Sequence, residues 1–263
     1  MDPALNIGIR AARRAGDLII RYMEAVEGVP VSSKGRNDFV SDVDWQAEAA
    51  IIETIRKAYP THGILAEEGG AQAGDECQWI IDPLDGTTNY LHGFPQFAVS
   101  IALKVKERLE QAVVYDPLRQ ELFTASRGKG ALLNDRRIRV SRQPGLEGAL
   151  LGTGFPFRGE AHLDRFISIF RALFPIAAGI RRAGAASLDL AYVGCGRLDG
   201  FWEFGLKQWD IAAGHLLICE AGGLISSLDG HGDCLETGNV LAGNPHVYKA
   251  MLKVLAGINH EGT

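Results

Sequence analysis

The stretch Asp82-Pro83-Leu84-Asp85-Gly86-Thr87-Thr88-Asn89 carries the densest chemistry in this chain. It follows the apolar run Trp79-Ile80-Ile81, so it begins at the end of a strand. Pro83 fixes its own φ and pushes Asp82 into an extended conformation. A turn at this spacing can aim Asp82 and Asp85 to one side, with the Leu84 carbonyl between them. That set of hard oxygen ligands suits Mg2+ rather than zinc. Gly86 lets a ligand approach the backbone, and the N–H groups of Gly86, Thr87 and Thr88 form a candidate nest for phosphate. The competing reading is an Asx-type turn whose aspartates hydrogen-bond their own backbone.

Working outward, two more acidic positions lie at the ends of apolar elements. Glu67-Glu68 follows Ile64-Leu65-Ala66, and Asp210 follows Trp209 at the start of an apolar helix. Carboxylates so placed are positioned to converge on a crevice. Three or four of them within about 4 Å repel by roughly 1 kcal/mol per pair in water, and by several times that at reduced dielectric. Without cations, some must stay protonated at neutral pH. Two divalent ions relieve the repulsion. Held roughly 3.5–4 Å apart, they also clamp the attacking and leaving oxygens of a phosphoryl transfer.

The chain as a whole has 263 residues, 46% hydrophobic and 22% charged, which excludes a disordered, collagen-like or small disulfide-stapled protein. It is long enough for one large domain or two intimate halves with a substantial core. The formal net charge of −5 argues against general nucleic-acid binding but leaves room for a local basic patch. No run of roughly 18 apolar residues exists to span a membrane. Met1-Asp2-Pro3-Ala4-Leu5 lacks the basic-then-apolar pattern of a signal peptide, so a cytoplasmic location is expected. Cys77, Cys195, Cys219 and Cys234 form no C-x-x-C and no Cys/His pair at zinc spacing. They read as buried or half-buried free thiols.

Leu5, Ile9, Ala12, Gly16, Ile19 and Met23 recur at helical steps. Pro30 to Asn37 reads as a loop. A second helix opens near Ser41-Asp42 and ends before Pro60. Short apolar runs from residue 64 to 133, with brief connections, predict a largely antiparallel sheet. A polar turn at Ser141-Arg142-Gln143-Pro144-Gly145 divides the chain into halves of residues 1–143 and 144–263. The first half would carry most acidic ligands and the second Asp210. Strands and helices alternate in the second half, which predicts a layered α/β arrangement.

Asp82 to Tyr90 resembles the first signature of the inositol monophosphatase family. Trp209-Asp210-Ile211-Ala212-Ala213-Gly214, running on to Glu220-Ala221-Gly222-Gly223, resembles its second. Glu67-Glu68 sits where the family has an acidic pair, and Asn37 to Asp44 is similar to its N-terminal water-site segment. Thr153-Gly154-Phe155-Pro156-Phe157 and Tyr115-Asp116-Pro117 are most similar to the bacterial SuhB-type branch. The resemblance covers essentially the whole chain.

What the resemblance implies is an αβαβα five-layer sandwich of the inositol monophosphatase/fructose bisphosphatase type. It also implies Mg2+-dependent, lithium-sensitive hydrolysis of myo-inositol monophosphates and related polyol phosphates. Glu67, Asp82 and the Leu84 carbonyl would hold a first Mg2+, and Asp82, Asp85 and Asp210 a second. A third, weaker ion would lie near Glu67. Asp44 and the Thr87 hydroxyl would orient the attacking water. Substrate would meet Asp85, Gly86, Thr87, Thr88, Arg181, Ala186 and Glu203. The family usually has Ser or Thr where this chain has Ala185, with a hydroxyl here only at Ser187. Fructose-1,6-bisphosphate, NADP and 3′,5′-bisphosphate nucleotides are alternative substrates. The resemblance further implies a homodimer. Proteins of that branch are associated with ribosomal RNA transcription as partners of RNA polymerase and the antitermination factor NusA, which is a second functional reading.

Other features take plainer expectations. Glu203 also reads as a solvated strand-end acid, and Arg181-Arg182 as an interface or solvated pair. The seven histidines are scattered and read as surface or packing residues. Arg136-Arg137-Ile138-Arg139 with Arg142 reads as an exposed strand rim, or else as a contact for an acidic partner or RNA. Asp38 and Asp42 read as helix-start caps, and Gly222-Gly223 as a helix stop.

Overall fold

The computed structural model describes residues 2–24, 31–35, 38–156 and 162–260. The N-terminal part runs α1 (Pro3–Glu24), β1 (Val31–Gly35), β2 (Asp38–Ser41), α2 (Asp42–Ala58), β3 (Gly63–Ala66), β4 (Gly70–Gln72), β5 (Cys77–Asp85) and α3 (Thr87–Leu91). Five strands follow: β6 (Ala98–Val105), β7 (Arg108–Asp116), β8 (Glu121–Ser126), β9 (Gly130–Leu133) and β10 (Arg136–Arg137). Then come β11 (Leu150–Thr153), α4 (Leu163–Leu173), β12 (Gly179–Arg181), α5 (Ala186–Gly194) and β13 (Gly200–Glu203). The chain continues through α6 (Gln208–Glu220), β14 (Leu224–Ser226), α7 (Cys234–Thr237), β15 (Val240–Gly243) and α8 (Pro245–His260).

Besides the β1–β2 hairpin, the described residues form two sheets, one of eight strands in the order β10-β9-β8-β7-β6-β5-β3-β4 and one of five in the order β12-β11-β13-β15-β14. Their layering follows from strand alternation. In β5, Trp79 and Ile81 pack against Ile19, Ile51 and Ile55 of α1 and α2. Ile80, between them, faces the other way and meets Leu188 of α5 and Ala213 and Leu217 of α6. A strand covered on both faces reads as an unbroken apolar run, which is what 79–81 is. The same alternation recurs in β13. Phe201 packs on Leu190 and Ile211 of the central helices, and Trp202 on Phe166 of α4 and Met251 of α8. The order α1/α2, sheet, α5/α6, sheet, α4/α8 is the expected αβαβα sandwich.

Some local expectations are corrected. Val31–Gly35 is a strand paired antiparallel with Asp38–Ser41, not a loop. Pro30, Arg36 and Asn37 lie outside the described residues. Asp38 therefore sits in β2 rather than at a helix start, while Asp42 does open α2. The large sheet is antiparallel except for β3 against β5, which run parallel because the hairpin strand β4 occupies the other edge of β3. The short elements β4, β10, β12, α3 and α7 are too brief to leave a periodic signal. Arg136, Arg137, Arg139 and Arg142 are exposed. All four cysteines are free, but Cys219 is exposed rather than buried. Among the described residues, no helix is long and apolar enough to cross a membrane.

Candidate active site

Strand β5 enters the site through an irregularity. Asp82 faces Ser100 of β6 while Asp85 faces Ala98, so three steps on one strand match two on the other. In a regular strand, residues three apart point to opposite faces. The extra residue brings Asp82 and Asp85 into phase. Asp210 arrives from α6. Ser100, opposite Asp82, donates its hydroxyl to the Trp209 carbonyl at 3.1 Å and so holds the first turn of α6 against β6. The Asp210 carboxylate accepts the Lys207 N–H at 2.7 Å, which fixes its direction at the helix start. Carboxylate oxygens of Asp82, Asp85 and Asp210 consequently lie within 4.8 Å of one another, all buried. Glu67 follows β3, where its N–H bonds the Ile81 carbonyl at 3.2 Å.

Burial and mutual repulsion show in the acidities. Asp82 is pushed well above the usual carboxylate range by burial, then by Glu67, Asp85 and Asp210. Asp85 is pushed up to about 7 by burial and Asp210, against the opposing hydrogen bonds of Ser187 and Ala186. Those bonds come from the start of α5. Asp85 Oδ2 accepts the Ser187 N–H at 2.7 Å and its hydroxyl at 2.5 Å. A helix N-terminus favours the ionised carboxylate.

The donor set is entirely oxygen: buried carboxylates with the Leu84 carbonyl beside them. Like charges gathered in a dry site call for cations, and hard oxygen donors fit Mg2+ or a similar ion rather than a thiophilic metal. Glu67, Asp82, Leu84, Asp85 and Asp210 could hold them. The Asx alternative is also realised, since the Leu84 N–H donates to Asp82 Oδ1 at 3.0 Å. That bond orients Asp82 and is compatible with ligation.

Beside the acids, Thr87 Oγ1 lies 3.0 Å from Asp44 Oδ1 and 3.0 Å from the Leu84 carbonyl. A hydroxyl has one proton, so it serves one of these acceptors at a time and keeps lone pairs for a water. Asp44 is fully buried behind it. Gly86 has φ 93°, and a Cβ there would come 2.8 Å from the Gln96 carbonyl, so the turn that starts α3 requires glycine.

A cleft of about 800 Å³ opens from this cluster. Glu67, Asp82, Leu84, Asp85, Gly86, Thr87, Thr88, Ala186, Glu203 and Asp210 all line it. Glu203 is buried rather than a solvated strand-end acid. Burial, then Asp189, pushes its carboxyl well above the usual range, and Arg182 opposes this. A Cβ on Gly154 would overlap the Glu203 carboxyl, so glycine makes its room.

Arg181 is not part of the lining. Its neighbour Arg182 is, with its guanidinium 5.0 Å above the Phe155 ring. The next residue is the one that turns inward because Arg181 ends edge strand β12 and points outward. Two histidines read as surface or packing residues, His92 and His162, also line the cleft, with His162 stacked on Phe204 at 5.0 Å. Phe157 lies outside the described residues.

Sequence reading missed four contributors. Asn89 lies inside the quoted stretch, yet nothing local shows that its amide reaches the Gln96, Ala183 and Gly184 carbonyls at 2.8, 2.9 and 3.3 Å. Ser187 was visible only as a displaced hydroxyl, Arg182 only as one of a pair, and Glu48 as one helical acid among several. The fold also brings His62, Asp75 and Cys77 within 4.8 Å, a grouping their spacing hides. There the Trp79 indole N–H donates to His62 Nδ1 at 3.0 Å. The ring proton is then on Nε2, leaving no free lone pair for a metal.

Known proteins share the sequence and the fold of this chain. The model of the inositol monophosphatase family matches residues 1–260. The Nus factor SuhB of Pseudomonas aeruginosa is 58% identical over 261 residues, spanning 97% of this chain and 96% of that one. Among solved structures, the extragenic suppressor protein suhB of Bartonella henselae superposes with a TM-score of 0.94 at 42% identity, covering 97% of this chain and 98% of the other. The inositol monophosphatase of Anabaena gives 0.83 at 38% identity, covering 97% and 95%.

Proposed function

This chain belongs to the inositol monophosphatase family, and from that premise we propose that it is a Mg2+-dependent phosphomonoesterase acting on myo-inositol monophosphates and related small polyol phosphates. The observation that carries the reading is the convergence of Asp82, Asp85 and Asp210, from two separate elements, on one buried oxygen-lined cage. When bound, two or three divalent ions supply acidification of water and neutralisation of phosphoryl charge.

The chain's own residues do the rest. Asp44 holds the Thr87 hydroxyl so that its oxygen orients the attacking water and receives its proton, which Asp44 in turn accommodates. The N–H groups of Gly86 and Thr87 share the charge of the phosphoryl oxygens. Glu203, in the same cleft lining, hydrogen-bonds a substrate hydroxyl, and Ala186, whose backbone also bonds Asp85, lies beside the substrate. Ser187 spends its hydroxyl on Asp85, so the substrate contact usually made by Ser or Thr at position 185 is missing.

The test is phosphate release from inositol-1-phosphate with and without Mg2+, repeated with Li+. Hydrolysis that needs Mg2+ and is suppressed by Li+ is expected. No release from this ester, nor from fructose-1,6-bisphosphate, NADP or a 3′,5′-bisphosphate nucleotide, would refute the enzymatic reading.

A second reading rests on the outer helix α4. Its inner face buries Phe166, Ile169 and Leu173, yet Leu163, Ile167 and the following Phe174 are 45%, 42% and 63% exposed. A helix apolar on both sides is suited to burial on both. We propose that this face forms a homodimer. A transcription partner such as RNA polymerase or NusA, a role the Nus factor name of the P. aeruginosa relative supports, would compete with the second copy for this face. Such a role fits a cytoplasmic location.

A further inference from the structure

We propose that Glu48 is a positioning residue for the metal cage, holding Glu67 in place through the backbone of the turn that carries it. The inference rests on reading Glu67 as a ligand. Asp82 and Asp85 are fixed by a strand and Asp210 by a helix. Glu67 is the first residue of the three-residue loop joining β3 to β4, tied at its own N–H to the Ile81 carbonyl of β5, and the chain leaves the sheet directly after it. Such loops have low intrinsic rigidity.

Glu48 anchors the rest of that loop. It lies on α2, is 3% exposed, and its two carboxylate oxygens accept the N–H groups of Glu68 and Gly69, each at 2.8 Å. A carboxylate bound by two successive amides is held as an anion is held in a backbone nest. The approach is close: a Cβ at position 69 would lie 2.8 Å from Glu48 Oε1. Gly70, with φ 68°, then closes the hairpin.

Glu48 is also one helical turn beyond Asp44, on the same face of α2. A single helix face therefore holds both the Asp44–Thr87 pair and the loop that aims Glu67. A carboxylate is required for the loop contact, since two amide donors need two acceptor oxygens. Glutamine would present an NH2 to one of them.

The experiment is calorimetric titration of Mg2+ into the full-length protein, wild type and variants, with thermal melting alongside. Glu48→Gln keeps the shape and removes one acceptor. Gly69→Ala presses on the same contact from the other side and spares the helix, so it reads the proposal if the first variant fails to fold. Glu53→Gln, on the exposed side of α2, is the control. In folded Glu48→Gln or Gly69→Ala, Mg2+ affinity is expected to fall about 10–100-fold, the usual cost of losing an outer partner of a ligand, with the control unchanged. A lowered melting temperature with wild-type Mg2+ affinity would show a merely structural role and overturn the proposal. A wild-type protein that binds no Mg2+ would instead overturn the cage reading on which it rests.

Discussion

The two ends of the cleft are built differently. At the acidic end, the clustered aspartates are held by buried hydrogen bonds, most of them to backbone. Asp82 and Asp85 are phased by an extra residue in β5, Asp85 is bonded by the start of α5, and Asp210 is bonded back to Lys207. At the open end, Arg182 rests on Phe155, His162 stacks on Phe204, and Phe155 is 51% exposed. Contacts of that kind are worth about 0.5–1 kcal/mol each at exposed sites, while a buried charge stripped of its partners costs several times more. The contrast teaches that the acidic cluster is fixed in the frame of the fold, while the exposed part of the cleft, where the proposed reading puts the choice of substrate, is lined by side chains that can be exchanged cheaply.

Asp85→Asn attacks the rigid end and gives the largest effect. Hydrolysis should fall by at least about 1,000-fold, beyond the 10–100-fold cost of an outer-partner loss. Capture of RNA polymerase or NusA, if the α4 face provides it, should be unaffected, and a pull-down run beside the assay separates the two roles. Retained hydrolysis would end the contrast.

The next effect is on stability. Asp85 is pushed up to about 7 in the fold, against an ordinary value of 3.8, and Asp82 is raised as well. The folded protein therefore holds protons that the unfolded chain has released. Their contribution to stability is full below the ordinary value and is lost as pH rises through about 7. Chelator-treated protein should melt at least about 4 °C lower at pH 8 than at pH 5, and excess Mg2+ should remove the difference by taking the protons' place. A flat or rising profile without metal would mean that the acids do not repel as their placement requires.

The smallest effect belongs to the open end. Arg182→Ala should raise KM about 2–5-fold and leave kcat nearly unchanged, the size of one exposed cation–π contact. An equal loss in kcat would place Arg182 with the rigid end and blur the distinction.

Legibility in the sequence followed the same division. The clustered acids are readable because they lie at or just beyond the start or end of apolar runs, and a strand or helix boundary at a crevice is a local event. Glu48 is not, because its value comes from amides twenty and twenty-one residues away. Arg182 and Arg181 are adjacent and chemically alike. Only the direction in which the chain leaves β12 puts one in the cleft and the other outside. His62 and Cys77 show the converse: their meeting is invisible in the spacing, and the Trp79 hydrogen bond that disarms it is equally so.

By itself the sequence determined the layers, through the doubly covered strands and periodic helices, and it determined the acid and oxygen types that invite a hard cation. Tertiary structure alone decided which of those groups touch. One extra residue in β5, one serine hydroxyl on the Trp209 carbonyl and one α2 carboxylate on the β3–β4 loop set distances of a few ångströms between segments far apart in the chain. Hydrophobic burial is non-directional and can be read as a pattern, whereas hydrogen bonds and ligand sets depend on direction and separation, which exist only once the chain has folded.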